Sequence, residues 1–204
     1  MKKSLLLFVI YCCTAMSLMA QGKWELRKNQ DGIAVYTRKA AKGDIKELRV
    51  VCELNTTEER LISTLRNIDG YNKWVYSNKR SEILKKPDAQ SIIYYTQSQL
   101  PWPIKNRDLV VELNIKRGAE VLNIEAKSLP FYLPEKEGYI RVPYSLALWN
   151  VTPNGSNSLK IDYTFSVNPG GSIPSWLVNA TLTVGPYNSF IKLREILKQS
   201  APIQ

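Results

Sequence analysis

The stretch Asn168-Pro169-Gly170-Gly171-Ser172-Ile173-Pro174-Ser175-Trp176-Leu177-Val178-Asn179, followed by an amphipathic run to Lys198, decides how this chain folds. Residues 168–171 predict a turn, because proline fixes one φ and two glycines accept positive φ. Ser172 predicts a helix cap, with Pro174 in the first helical turn. The apolar residues that follow recur at helical spacing and form one stripe: Ile173, Trp176, Leu177, Ala180, Val184, Tyr187 and Ile191.

Gly185-Pro186 predicts a kink in this terminal helix, because proline removes a backbone hydrogen bond and clashes with the preceding turn. Beyond the kink a second apolar face follows, made of Phe190, Leu193, Ile196 and Leu197. A bent helix with two apolar faces suits a lid over a hydrophobic interior. The alternative is an ordinary C-terminal helix packed on a sheet.

Residues 1–20 have the pattern of a secretory signal peptide. A basic start, Met1-Lys2-Lys3, precedes an apolar core at residues 5–11 that is too short to span a bilayer, and the small residue Ala20 precedes Gln21. We expect cleavage after Ala20, a periplasmic or secreted protein, and a single domain over residues 21–204. An uncleaved membrane anchor is the alternative.

The composition narrows the classes of function. The chain of 204 residues has 28 basic and 18 acidic residues, and its net charge of +10 falls to +8 without Lys2 and Lys3. This excess favours anionic surfaces, and export makes phospholipid the expected partner in place of nucleic acid, unless the charge serves solubility alone. Histidine is absent, which removes the usual catalytic triads and the commonest metal ligand. We expect no catalytic residue, metal or cofactor, and we expect Cys52 to be a small buried hydrophobe.

Short strands separated by turns fill the middle of the chain. A helix follows Asn55 or Thr56 as its cap and ends at Asp69-Gly70, while Trp24 to Lys28 is a lead-in. The strands are predicted at residues 33–39, 45–54, 81–84, 91–100, 108–116, 120–128, 138–151 and 158–167. This order predicts an α+β fold with a curved, predominantly antiparallel sheet. One helix cannot fill the concave side of such a sheet, so we expect a cavity.

Strand parity predicts which side chains face that cavity, because alternate residues share a face. In the strand from Arg107 to Ile115 the odd positions are apolar, so Arg107, Leu109 and Val111 point inward. In residues 159–167 the same argument selects Tyr163 and Phe165. Residues 140–149 are ambiguous, since hydrophobicity selects Ile140, Val142, Tyr144, Leu146 and Leu148.

Three stretches together resemble the START lipid-transfer domain, in its order and approximate spacing. They are Trp102-Pro103-Ile104-Lys105-Asn106-Arg107-Asp108-Leu109-Val110, Gly138-Tyr139-Ile140-Arg141-Val142, and the stretch from Asn168 to Asn179. The resemblance covers about residues 24–198. It implies a helix-grip fold, in which a curved antiparallel sheet wraps around the long C-terminal helix and encloses a tunnel for one lipid or sterol. It also implies binding and transfer without covalent chemistry, with the terminal helix as a lid.

The resemblance also favours the other face of residues 140–149, namely Arg141, Pro143, Ser145, Ala147 and Trp149, whose small side chains leave room for a ligand. Combined with strand parity, it gives the predicted ligand-binding set: Tyr94, Thr96, Arg107, Leu109, Val111, Arg141, Ala147, Tyr163, Phe165, Leu177, Ala180, Val184 and Tyr187. Tyr94, Tyr163, Phe165 and Tyr187 form either an aromatic cage or plain core. Asn179 bonds either a ligand or the turn before it.

Arg107 is the most informative single residue, because a buried guanidinium needs an anion, a carbonyl or water. Family members pair the matching arginine with an acid on the preceding strand, whereas residues 91–100 contain no acid. Arg107 therefore meets a polar or anionic ligand headgroup, or it pairs with Glu47, Glu53 or a carbonyl at the strand end. Choline-binding members have an aromatic residue two positions later. Leu109 occupies that position here, which argues against specificity for phosphatidylcholine.

Three classes of function follow from the sequence. We expect an exported, monomeric protein that is not an enzyme, binds a lipid, sterol or other hydrophobic molecule, and contacts anionic membranes transiently. An aromatase/cyclase-type enzyme on the same scaffold is the first alternative, and it would need acid–base groups in the tunnel. A basic interaction module is the second alternative.

Overall fold

The protein is described by a computed structural model over residues 22–199, so the predicted signal peptide at residues 1–20 lies outside the described residues. Strands are the commonest element of the described residues, and two helices follow the last strand. The elements in chain order are β1 Glu25–Gln30, β2 Ile33–Arg38, β3 Glu47–Leu54, α1 Glu58–Arg66, a 3-10 helix Ile68–Lys73, β4 Asn78–Lys85, β5 Ser91–Ser98, β6 Asn106–Arg117, β7 Leu122–Ser128, β8 Tyr139–Arg141, β9 Tyr144–Pro153, β10 Leu159–Asn168, α2 Ser175–Thr181 and α3 Val184–Gln199.

The strands form one curved sheet of ten strands, in the order β1-β2-β3-β10-β9-β7-β6-β5-β4, with β8 beside β6. Every pairing is antiparallel except that of β6 with β8, within residues 22–199. The sheet curves around the C-terminal helix, which confirms the predicted α+β class and the helix-grip fold.

The core lies between the concave face of the sheet and α3. Alternate residues of β3 are buried, among them Leu48, Val50 and Cys52, as their period of two predicts. From the helix side, Phe190, Leu193 and Leu197 are buried against them. The second predicted apolar face therefore packs, together with Tyr187 and Ile191 of the first face, and α3 is the helix that the sheet grips.

Two strand boundaries differ from the prediction for local reasons. The expected lead-in before Asn29 is strand β1, which pairs with β2 in spite of its polar sequence. The single strand expected at residues 138–151 is two strands, because Pro143 has no N–H to donate and breaks the ladder. Val142 keeps a backbone bond to the carbonyl of Asp108 at 3.0 Å, and the chain changes direction after it.

Helix α1 begins one residue later than predicted. Its cap is Thr57, whose hydroxyl accepts a bond from the Arg60 N–H at 3.4 Å, so the assignment of Asn55 or Thr56 is wrong. The α-helix ends at Arg66, and a 3-10 helix extends the segment beyond the predicted end at Asp69-Gly70.

The terminal helix is interrupted earlier than predicted. Helix α2 ends at Thr181 and α3 begins at Val184, so the break lies ahead of Gly185-Pro186. Pro186 is in the first turn of α3, where its missing N–H leaves no helical bond unmade. At the start of α2, Pro174 occupies the cap position and no side chain caps the helix. The described part of the terminal segment is therefore a short helix and a long helix joined by Leu182 and Thr183.

Candidate functional site

A pocket of about 380 Å³ lies between the concave face of the sheet and α3. We call it the central pocket. The β4, β5, β6, β9 and β10 strands supply one wall, while the 3-10 helix, the residues after it and the first turns of α3 supply the other. Most of its lining is aliphatic or aromatic, and Arg107 is the charged side chain on the wall within residues 22–199. The pocket is therefore suited to an apolar molecule with one polar end.

Most of the sequence-predicted site residues line this pocket. Residues from neighbouring strands are paired there, with Tyr94 opposite Val111, Thr96 opposite Leu109, and Phe165 opposite Ala147. Ser145 and Trp149 also line it, so the face of β9 with small side chains points inward. The residues of the predicted set on the pocket wall are Tyr94, Thr96, Arg107, Leu109, Val111, Ala147, Tyr163 and Phe165. Their role in binding a ligand stays a prediction.

The aromatic residues of the pocket form two groups that pack within the core. Tyr163 lies edge-on to Trp149, with 4.9 Å between the ring centroids, and it also contacts Phe190. Tyr94 contacts Tyr71 instead, at 5.5 Å. Burial raises the pKa of Tyr94 and of Tyr163, which keeps both hydroxyl groups protonated at physiological pH.

Tyr187, the fourth residue of the proposed aromatic cage, lies elsewhere. Its hydroxyl donates to the Asp31 carboxylate at 2.5 Å, and the Lys28 ammonium lies over its ring. The hydrogen bond to Asp31 raises the pKa of Tyr187. The four residues therefore do not form a cage, and Tyr187 attaches α3 to the β1–β2 turn.

Arg107 is 3 % exposed and donates to backbone carbonyls. The acceptors are Lys105, Gly170 at 3.1 Å and Pro169 at 3.4 Å. No carboxylate is within hydrogen-bond reach in the described part of the chain, because Glu47 pairs with Arg38 instead. Of the protein partners predicted for Arg107, the structure therefore shows backbone carbonyls in place of Glu47 or Glu53. Carbonyls carry no net charge, however, and burial lowers the pKa of Arg107.

The turn that precedes α2 is built around Arg107. Gly170 and Gly171 both have φ of +67°, and the Gly170 N–H bonds the Asn168 side chain at 3.1 Å. A Cβ atom on Gly171 would lie 2.8 Å from Ile140 Cδ1 and 3.4 Å from Arg107 Nη2. The two glycines are required both for their conformation and for the close approach.

Arg141 is a correction to the predicted site. Its guanidinium bonds the buried carboxylate of Asp108 at 2.9 and 3.0 Å and donates to the carbonyls of Pro130, Leu133 and Pro134. The hydrogen bonds to Asp108 raise the pKa of Arg141. The resemblance placed Arg141 on the same face as Ser145 and Ala147, but the break at Pro143 separates β8 from β9. Arg141 fixes the segment of residues 130–134 in place of contacting the central pocket.

The residues predicted on the lid are the second correction. Leu177, Ala180 and Val184 do not line the central pocket, and Trp176 is 69 % exposed. None of the residues of α2 is buried. The part of the predicted stripe that lies in α2 therefore faces outward or lies at the edge of the fold, whereas Tyr187 and Ile191 of α3 pack in the core.

A polar contact attaches α2 to the rest of the protein. Asn179 accepts a bond from the Lys46 N–H at 2.8 Å and donates to the Asp44 carbonyl at 2.9 Å. It therefore bonds the β2–β3 loop, and the prediction that it bonds the turn before its own helix is wrong.

Sequence reasoning missed several residues of the wall. The segment of Tyr71, Trp74, Val75 and Tyr76 lines the pocket, and its aromatic composition was the signal. Asn78 also lines the pocket, but the predicted strand started at Ser81 and excluded it.

In residues 22–199 no helix is long and apolar enough to cross a bilayer. The same residues contain no group of three or more cysteine or acidic side chains arranged to hold a metal ion.

The sequence and the fold match known proteins over most of the chain. The model of the START domain matches residues 13–203. An uncharacterized protein of Pseudomonas aeruginosa is 31% identical over 172 residues, which cover 84% of this chain and 85% of that protein. The phosphatidylcholine transfer protein of Mus musculus is 27% identical over 163 residues, covering 76% of this chain and 75% of that protein.

Among solved structures, a STAR-related lipid transfer protein from Xanthomonas axonopodis matches with a TM-score of 0.81 and 29% identity. The match covers 86% of this chain and 99% of that one.

Proposed function

Because the chain belongs to the START domain family, we propose that it binds one lipid, sterol or other hydrophobic molecule in the central pocket and transfers it unchanged. The observation that supports this proposal best is the mostly apolar wall of the pocket, on which Arg107 is the one charged side chain among the described residues. Ligand pockets have this form, mostly apolar with a few polar groups that orient the ligand. Matches to lipid transfer proteins support the same class of ligand.

The described residues of the pocket provide few groups suited to acid–base or nucleophilic catalysis. Burial raises the pKa of its three buried tyrosines, Tyr71, Tyr94 and Tyr163, so none of these is a ready general base. The sequence contains no histidine. Burial also raises the pKa of the Cys52 thiol to about 12, and a protonated thiol is a poor nucleophile. These features support binding over an aromatase/cyclase activity.

The size of the pocket bears on the ligand. A volume of about 380 Å³ is near the lower end of the roughly 300–1,000 Å³ found for ligand pockets. A single-chain lipid or a sterol is closer to this size than a lipid with two long chains. A two-chain lipid would require the pocket to widen.

Membrane contact is part of the proposal. Trp102 is 92 % exposed and Trp176 is 69 % exposed. They lie on the β5–β6 loop and on α2, and the β5–β6 loop and the turn before α2 each supply a carbonyl to Arg107. Exposed tryptophans favour the membrane interface, and the net positive charge favours anionic lipid. Contact through this side of the protein would bring the bilayer close to the polar end of the pocket.

Export is proposed from the first twenty residues alone. N-terminal sequencing of the protein recovered from its host tests it, with Gln21 expected as the first residue. An intact Met1 or retention in the cytoplasm would contradict it.

Native mass spectrometry followed by lipid extraction tests ligand binding. We expect a monomer that carries one lipid, and transfer of that lipid between vesicles. Ala147→Trp fills the pocket and should abolish both, whereas Ala119→Trp, at an exposed loop position, should change neither. Thermal melts show whether each variant is folded, and Ala147→Phe is a milder second variant. Protein without lipid and without transfer, or lipid retained in both Ala147 variants, would overturn the proposal.

A further inference from the structure

The central pocket contains a row of polar side chains across three neighbouring strands. Asn78 on β4 is opposite Ser98 on β5, and Ser98 is opposite Arg107 on β6. All three residues line the pocket. Since neighbouring strands are about 4.8 Å apart, the backbones of Asn78 and Arg107 are separated by roughly 10 Å. We call this the polar row.

Asn78 is fixed by bonds from one end of its amide. Its Nδ2 donates to Ser81 Oγ at 2.9 Å and to Thr96 Oγ1 at 2.6 Å, and Ser81 donates to Thr96 at 2.9 Å. Ser81 is 6 % exposed and Thr96 is 8 % exposed. The amide of Asn78 is therefore held within a built, buried polar cluster on the pocket wall.

The other end of the same amide lacks a partner. Asn78 Oδ1 is buried and accepts no hydrogen bond from any residue in the part of the chain that the structure describes. Buried carbonyl oxygens are normally satisfied, and an orphaned one on a pocket wall indicates an absent donor. The oxygen is inaccessible to solvent, so a ligand in the pocket supplies that donor when the Asn78 side chain turns its oxygen toward the pocket.

The two ends of the polar row call for different groups on a ligand. Arg107 presents a cation whose acceptors are neutral carbonyls, and such a group binds phosphate or carboxylate. Asn78 Oδ1 accepts, so its complement is an N–H or O–H group. Resting on the proposed lipid binding, we propose that the polar row is a headgroup site for a lipid that carries both an anionic group and a hydrogen-bond donor.

This site distinguishes lipids that share a phosphate. Ethanolamine and glycerol headgroups have N–H or O–H donors, whereas the quaternary ammonium of choline has none. Choline is recognised by aromatic faces, and Leu109 occupies the pocket wall next to Thr96. The chain therefore favours phosphoethanolamine or phosphoglycerol lipids over phosphocholine lipids.

The experiment compares three lysophospholipids with one palmitoyl chain and ethanolamine, glycerol or choline headgroups. Displacement of a fluorescent fatty acid from the purified protein gives the three affinities. We expect the ethanolamine and glycerol lipids to bind about tenfold more tightly than the choline lipid, the factor that corresponds to one hydrogen bond. Asn78→Leu should bring the three affinities within about threefold by weakening the first two.

The control is Asn150→Leu, at an exposed position of β9, which should leave the preference unchanged. Asn78→Ala is a second variant should the leucine prevent folding. Equal affinities in the unmodified protein, or an intact preference in a folded Asn78 variant, would overturn the headgroup site while lipid binding stands. If none of the three lipids displaces the probe and the purified protein carries no lipid, the proposed function fails as well.

Discussion

The guanidinium of Arg141 holds the carboxylate of Asp108 through two parallel hydrogen bonds, and both side chains are buried. The pair joins β6 to β8 and fixes the loop at residues 130–134. It occurs within two stretches that relate the chain to its family, and it is a structural feature outside the central pocket. Arg107, which precedes Asp108 in the sequence, has no carboxylate partner in the described residues and donates to backbone carbonyls instead.

Asp108→Ala should lower the free energy of unfolding by about 3–5 kcal/mol, because it leaves the buried guanidinium of Arg141 without a counter-ion. Glu82→Ala is the control, since Glu82 pairs with Arg80 at the surface and exposed pairs contribute about 0–1 kcal/mol. Urea denaturation measures both. A loss below about 1 kcal/mol for Asp108→Ala would show that the pair is dispensable.

Gly171→Ala should cost more than Gly155→Ala, although both glycines have positive φ. The left-handed conformation costs each alanine about 1–2 kcal/mol. Gly155 has open space around it, whereas a Cβ on Gly171 would overlap Ile140. Urea midpoints of the two variants isolate the steric part. Equal losses would mean that the turn relaxes away from β8 without cost.

Arg107→Met should reduce the affinity for an anionic lipid by more than tenfold, because it removes the cation that the headgroup meets. The free energy of unfolding should change by less than about 2 kcal/mol, since lost bonds to carbonyls are offset by the removal of a desolvated charge. Lipid displacement and urea denaturation give the two numbers. The reverse result, a large loss of stability with unchanged binding, would assign Arg107 a purely structural role.

Asn179→Ala should speed ligand exchange without lowering the free energy of unfolding by more than about 1–2 kcal/mol. The amide makes two bonds to the β2–β3 loop, each contributing about 0.5–1.5 kcal/mol, and no residue of α2 is buried. Stopped-flow release of a fluorescent fatty acid measures the exchange rate. Asn188→Ala on α3 is the matched control, and equal release rates in the two variants would contradict a role for Asn179 in holding α2.

Cys52 should react with thiol reagents only after unfolding. Burial raises its pKa to about 12, whereas an unfolded thiol titrates near about 8.5. The unfolded thiol ionises first as the pH rises, so Cys52 contributes stability below about pH 8.5 that is lost progressively above it. Site-resolved labelling by mass spectrometry checks this. In urea the labelling rate of Cys52 should level off near pH 9, whereas the labelling rate of the folded protein should still be rising there. Rapid native labelling at pH 8 would show that the thiol is accessible.

Strand parity predicted the wall of the pocket wherever a strand was continuous. It placed Arg107, Leu109 and Val111 on β6 correctly, because a buried face and a period of two leave one solution. The small side chains of β9 also face inward, while Leu148 is exposed on the other face. Hydrophobicity alone favoured the wrong face there, since a ligand pocket is lined by residues chosen for size as much as for apolar character.

Parity and periodicity failed where the backbone changes direction. The resemblance placed Arg141 inward with the small residues of β9, but Pro143 interrupts the ladder and separates β8 from β9. The apolar stripe before Val184 was assigned to a packed lid, but α2 ends at Thr181 and only α3 is gripped by the sheet. Asn78 was missed since irregular pairing near the start of β4 obscures its pattern. Tertiary contacts that join distant segments, such as Asn179 with Asp44, are not encoded in local spacing.

Leu182 is buried, while the helix before it has no buried residue. We expect this anchor to let α2 move without disturbing the folded interior once the bonds of Asn179 to the β2–β3 loop are broken. For the proposed lipid carrier, we therefore expect substitutions at the exposed positions Trp176, Ala180 and Thr181 to change the rate of ligand exchange more than the melting temperature. These are positions through which evolution or an engineer can alter exchange without unfolding the protein.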